Sequence, residues 1–245
     1  MAIATAPDTT TITLTIDDRQ VSAATGETVM EAALSAGIDI PRLCYEPRLT
    51  PVPACRLCHV EVEGAHEPVT ACSTKVAEGM VVRTETDEIA SMRKSVLELI
   101  LGDHRVSCPT CDKNGDCSLM EYAYRYGADQ FAFGAYQPPP ALPNFSTGNE
   151  AIAFDPQLCI TCGRCVRICD ELVMASALTL DGRAAEVRVT TPFDMPLNET
   201  SCVLCGMCIS TRPTGAMYER AALGQGQCKD LEPVRTVCPY CGVGC

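Results

Sequence analysis

Polar and apolar residues alternate from Thr9 to Ile16, the two-residue period of a half-buried strand, and Asp17-Asp18 offers a turn into a second strand over Gln20 to Ala23. Thr28-Val29-Met30-Glu31 matches a capping box at the head of an apolar-periodic helix that ends by Gly37. Further strands are expected over His59 to Glu63 and near Met80 to Glu85. Ile89 to Leu101 reads as an amphipathic helix with Met92, Val96, Leu99 and Ile100 on its apolar face, stopped by Gly102. A second helix is expected over Ser118 to Tyr126. Gln137 to Pro143, with three consecutive prolines, reads as an extended connector of polyproline type. Beyond it, a region from about Glu150 to Leu223 contains a strand-like stretch, Glu186 to Thr190, and the turn Pro213-Thr214-Gly215-Ala216. Gly224 to Gln227 is a flexible link.

Composition changes this picture in one respect. The 245 residues include 18 cysteines, far more than packing uses, and nothing at the N-terminus resembles a secretory signal. A reducing, cytoplasmic setting makes thiolate-metal ligation the expected use of these thiols. The formal charge of -12, with no basic patch, disfavours nucleic-acid binding, and no segment is long enough to span a bilayer. Five Phe and no Trp leave a thin aromatic core, so bound metal is expected to supply part of the folding energy.

The cysteines fall into sets. Cys44-x10-Cys55-x2-Cys58-x13-Cys72 places four thiols on loops around a small sheet, which suits a 2Fe-2S cluster whose two irons each need two thiolates. His104-x3-Cys108-x2-Cys111-x5-Cys117 follows, a donor set that a structural zinc ion would also accept. His59 and His66 have no ligand spacing and read as surface residues. Cys159-x2-Cys162-x2-Cys165-x3-Cys169 and Cys202-x2-Cys205-x2-Cys208 are paired runs of the kind that hold two 4Fe-4S clusters, the fourth cysteine of each run ligating the other run's cluster. Arg212-Pro213 stands where the second run's fourth cysteine is expected. A guanidinium stays protonated and has no lone pair to offer iron. The cluster at Cys159, Cys162 and Cys165 is therefore expected to be 3Fe-4S, to be completed by another ligand such as Cys228, or to be lost. Cys238-x2-Cys241-x3-Cys245 closes the chain one ligand short. These sets use every cysteine except Cys228.

Taken together, the sets resemble the N-terminal electron-transfer region shared by the large subunit of respiratory complex I, the diaphorase subunit of NAD-reducing hydrogenases, iron-only hydrogenases and NAD-dependent formate dehydrogenases. The resemblance spans about residues 10 to 245. The closing Cys-Pro-Tyr-Cys-Gly-Val-Gly-Cys run is similar to the motif that begins the molybdopterin or tungstopterin domain of formate dehydrogenase α subunits. It implies an α+β chain: a β-grasp 2Fe-2S ferredoxin-like domain (1–86), a small helical domain whose 4Fe-4S cluster is held by one His and three Cys (87–137), a ferredoxin-like 2x4Fe-4S domain (138–225), and the start of a pterin-domain 4Fe-4S site (226–245). The implied function is relay of electrons from formate oxidation at a pterin-bound Mo or W centre toward a flavin/NAD-binding diaphorase subunit. The alternatives are the diaphorase subunit of an NAD-reducing hydrogenase, the complex I large subunit (an NADH dehydrogenase component), or a non-redox zinc scaffold. No catalytic residue is expected in this chain, which alone should not oxidise formate.

Overall fold

The computed structural model describes residues 11–134, 136, 144–232 and 234–237. The first strand, β1 (Thr11–Ile16), pairs antiparallel with β2 (Arg19–Ala24). Asp17 and Asp18 both take positive φ between them, which gives the two-residue turn whose twist matches the flanking strands. The capping box forms as expected: Thr28 accepts from the Glu31 amide, Glu31 accepts from the Thr28 amide, and α1 (Val29–Ser35) follows. Strands β3 (His59–Val62), β4 (Val69–Thr70) and β5 (Val81–Arg83) complete a five-stranded sheet in the order β2-β1-β5-β3-β4. The β1/β5 pair is parallel and the other pairs are antiparallel. Val29, Met30, Ala32 and Ala33 of α1 pack on Leu14, Ile16, Val60 and Val82 in one core. Each large side chain buried there contributes roughly 1.5–3 kcal/mol.

Helix α2 (Asp87–Gly102) is capped by Thr86, whose hydroxyl accepts from the Ile89 amide. Its buried stripe is Ile89, Arg93, Leu97 and Leu101, so the apolar face expected from Met92, Val96, Leu99 and Ile100 is rotated, and Leu99 is exposed. A buried arginine fixes the phase. The Arg93 guanidinium donates to the carbonyls of Leu57 and His59 and to Glu85 and Tyr126, and these fixed acceptors outweigh the apolar count. Gly102 is the last helical residue, with Asp103 as the cap. Helix α3 (Ser118–Tyr126) ends on Gly127 in the left-handed conformation and packs with α2 around Leu43, Leu57 and Leu119. His59 is half-buried in β3 with its Nδ1 enclosed, which corrects its reading as a surface residue; His66 is exposed.

The C-terminal region is built from short pieces. Strand β6 (Ile152–Phe154), α4 (Arg164–Glu171), β7 (Thr179–Asp181), β8 (Arg188–Thr190), α5 (Met207–Ser210) and β9 (Met217–Glu219) follow one another. Antiparallel pairing of β6 with β9 closes the region at its ends, and β7 pairs with β8. The strand expected from Glu186 is confined to β8, because Ala184–Glu186 forms a 3-10 turn. The proline connector at 137–143 and the cysteines at 238, 241 and 245 lie outside the described residues. Among the described residues no helix is long and apolar enough to cross a membrane.

Candidate iron-sulfur sites

The four thiols of the first set lie close together. Cys44, Cys58 and Cys72 are fully buried. Their thiols associate two by two: the Cys55 thiol and amide hydrogen-bond the Cys44 sulfur, and Cys58 pairs with Cys72. The Cys55 contacts bring Cys44 down to about 6 against the cost of burial, whereas the partner thiols Cys55 and Cys72 are pushed up by those hydrogen bonds and by burial. Two neighbouring thiol pairs match the demand of two irons for two thiolates each. Arg93 braces this loop by holding the carbonyls on either side of Cys58.

In the second set, Cys108 opens a 3-10 turn, Cys111 ends it and Cys117 precedes α3, and the three thiols lie within electrostatic reach of one another. His104 is buried, and its Nδ1 is enclosed with no hydrogen-bond partner. Burial, with a smaller push from Arg105, lowers its pKa to about 4, so the imidazole is neutral and able to ligate at physiological pH. The charged groups acting on it are Arg105 and Asp155.

The paired runs repeat one backbone design. Thr161 and Leu204 both take positive φ, and their amides donate to the Cys159 and Cys202 sulfurs at 3.3 and 3.5 Å. Gly163 and Gly206 then adopt the left-handed conformation as the N-caps of α4 and α5. Holding non-glycine residues at positive φ costs on the order of 1–2 kcal/mol each, so the same strain at both loops points to a shared task. Cys169, from the first run, acts electrostatically on Cys202 and Cys208, and these three with Cys205 line one apolar cavity. Cys169 thus stands with the second run, as crossed ligation requires. Burial raises Cys159 and Cys208 to about 12 and pushes Cys165 up as well. Iron held by these residues would offset that cost, because a coordinated thiol is deprotonated outright.

Arg212 turns toward the second set. Its guanidinium donates to Asp112, beside Cys111, at 2.9 Å and to the Met217 carbonyl. Gly215 follows it against Cys111, where a Cβ would stand 2.6 Å from the sulfur. Cys228 is tied to the same loop by its amide, which donates to the Asp112 carbonyl at 2.8 Å. The Arg212–Gly215 segment thus walls the second set, and position 228 belongs structurally to that set's loop. No spacing rule in the sequence reports either contact. Among the described residues, no three His, Cys, Asp or Glu side chains converge as a site for a single metal ion.

Three family models match in chain order: a 2Fe-2S iron-sulfur cluster binding domain over residues 9–87, the NADH-ubiquinone oxidoreductase-G iron-sulfur binding region over 93–131, and a 4Fe-4S dicluster domain over 158–216. A chain of the NAD+-reducing [NiFe]-hydrogenase crystallised in its H2-reduced state superposes with a TM-score of 0.78 at 31% identity, covering 86% of this chain and 88% of that one. The chain belongs to this family of iron-sulfur electron-transfer subunits. It is 32% identical over 241 residues to the mitochondrial NADH-ubiquinone oxidoreductase 78 kDa subunit of Neurospora crassa, and 34% identical over 213 residues to the NADP-reducing hydrogenase subunit HndD of Solidesulfovibrio fructosivorans. These matches cover 98% and 85% of this chain. NADPH-Fe(3+) oxidoreductase subunit alpha of Geobacter sulfurreducens is 34% identical over 234 residues, which is 96% of this chain. The chain spans 27% of the length of the Geobacter protein, 32% of the Neurospora one and 36% of the Solidesulfovibrio one. NAD(P)H oxidoreductases and two hydrogenases make up these relatives; formate dehydrogenase is not among those named.

Proposed function

We propose that the chain relays electrons between a flavin subunit that handles NAD(P) and a second redox partner, as the diaphorase-side iron-sulfur subunit of a hydrogenase-like or complex I-like assembly. The observation that carries this reading is the adjacency of the thiol sets. Arg167 of α4 donates to the Cys44 carbonyl at 2.6 Å, so the first set abuts the Cys162 loop, and the Cys111 loop rests on Gly215 and Leu158, next to Cys159. Sets far apart in sequence are neighbours in space.

The ligands are Cys44, Cys55, Cys58 and Cys72 for a 2Fe-2S cluster, His104, Cys108, Cys111 and Cys117 for a 4Fe-4S cluster, and Cys169, Cys202, Cys205 and Cys208 for a cubane. Cys159, Cys162 and Cys165 form a three-thiolate site, and Cys238, Cys241 and Cys245 contribute to a further site. When bound, such clusters supply one-electron steps with little ligand movement. The protein sets the steps apart: neutral His104 in place of a thiolate raises the potential of its site, and the amides of Thr161 and Leu204 stabilise charge on sulfur. Cys205 is exposed, which gives its site a short path to a partner.

A second reading rests on Cys238-Pro239-Tyr240-Cys241-Gly242-Val243-Gly244-Cys245, which favours a pterin-dependent formate dehydrogenase as the partner. Anaerobically purified protein, mixed with the flavin subunit of its own complex and NADH or NADPH, tests the relay. The expected result is bleaching of the iron-sulfur absorption only when both are present. A colourless zinc protein lacking acid-labile sulfide would sink it. Re-oxidation by formate-dependent as against hydrogen-dependent partners separates the two readings.

A further inference from the structure

Where the first set meets the paired runs, two arginines of α4, Arg164 and Arg167, stand at the contact. Arg167 donates to the Cys44 carbonyl at 2.6 Å and to the Thr50 carbonyl at 2.7 Å, and the Thr50 amide donates back to Glu171 at 2.7 Å. This fastens the Cys44 loop to the helix that carries Cys165 and Cys169. Arg164 lies one turn earlier and does something different. Its Nη1 donates to the Thr211 carbonyl at 3.3 Å, while its Nε is buried with no partner. The acidic groups within its reach are Cys162, Glu46, Cys44 and Cys55, three of them thiols of the proposed ligand sets. Burial disfavours the charge on Arg164, and those groups favour it. Glu46 is itself shared with Arg48 and with the Thr211 hydroxyl, so it does not neutralise Arg164 alone.

We propose that Arg164 is the electrostatic link between the 2Fe-2S site at Cys44/Cys55/Cys58/Cys72 and the site at Cys159/Cys162/Cys165, and that Arg167 is the positioning residue that keeps the two within range of it. One electron added to either cluster adds one negative charge and changes no bond. A fixed cation between the sites favours the reduced form of each and weakens their mutual repulsion, so both potentials rise together. An arginine suits the place because its guanidinium stays protonated even when buried. The buried, unpaired Nε–H is the feature that a purely structural clamp does not require.

The inference rests on the relay reading, and its test keeps the two apart. Redox titration of the cluster-loaded full chain, followed by electron paramagnetic resonance, resolves the 2Fe-2S signal from the others. Absence of iron-sulfur signals in the unaltered protein would defeat the relay reading itself. In Arg164→Gln, both the 2Fe-2S signal and that of the Cys159 site are expected to become harder to reduce by about tenfold in equilibrium constant, which is 59 mV for a one-electron couple. Arg164→Lys should restore most of that shift at the same iron content. Unchanged potentials, a shift confined to one cluster, or an equal shift in Arg164→Lys would overturn the proposal. Loss of iron in Arg164→Gln that Arg164→Lys does not repair would overturn it too, by showing a structural role alone.

Discussion

The sheet region, residues 11–86, and the region of paired runs, residues 144–222, house thiols in opposite ways. In the first, Cys58 and Cys72 are embedded in a core of sixteen buried residues, among those described, that the strands and α1 build for themselves. In the second, the corresponding core has nine, and Cys159, Cys165, Cys202 and Cys208 are part of its packing. Its strands are three residues long and its helices eight and four. Such elements do not persist in water unaided. The sheet region is therefore expected to fold and then present ligands, whereas the region of paired runs is expected to need bound clusters to fold.

Removing iron challenges this contrast most severely. After anaerobic chelation, hydrogen exchange should show amides of β6, α4, α5 and β9 losing protection by more than about a hundredfold, roughly 3 kcal/mol. Amides of β1, β2 and β5 should keep theirs. Equal loss in both regions would show that the sheet also depends on metal.

Arg93→Met comes next. It strands the Leu57 and His59 carbonyls, with an expected cost of about 3 kcal/mol in denaturant unfolding and weaker retention of the 2Fe-2S cluster. A neutral result would mean that the Cys55–Cys58 loop holds itself.

A matched pair of substitutions checks the phase of α2. Leu97→Ala should cost roughly 2–5 kcal/mol because Leu97 is fully buried, and Leu99→Ala should fall within about 0.5 kcal/mol because Leu99 is exposed. Between those two lies Thr28→Ala, about 1 kcal/mol from loss of the capping box, read as a change in denaturation midpoint with an unchanged slope.

Local rules make much of this legible. The β1 and β2 alternation, the Thr28 cap and the span of α3 depend on neighbouring residues, and sequence shows neighbours. Cysteine spacing likewise exposes the thiol sets, since ligand geometry is imposed by loops of fixed length. What stays hidden is non-local. Hydrophobicity alone places Leu99 inward, because it does not register that Leu57, His59 and Glu85 supply acceptors for Arg93. Arg212 is visible as a missing ligand, yet its partner Asp112 lies a hundred residues away. The matched positive φ of Thr161 and Leu204 has no signal beyond the repeated spacing, because neither residue type favours that conformation.

The same contrast bears on Arg212→Cys. Restoring a thiol removes the ion pair to Asp112, so any iron gained at Cys159/Cys162/Cys165 should come with an altered signal from the His104 set. Added iron with no such change would separate position 212 from the second site.

If both regions belong to one wire, their clusters must sense each other's spin. With the fully reduced, cluster-loaded chain, pulsed electron paramagnetic resonance should show the 2Fe-2S signal relaxing faster than in a protein carrying Cys159→Ser and Cys162→Ser. Identical relaxation in the two proteins would refute the shared wire, since it would leave the sheet cluster electronically alone.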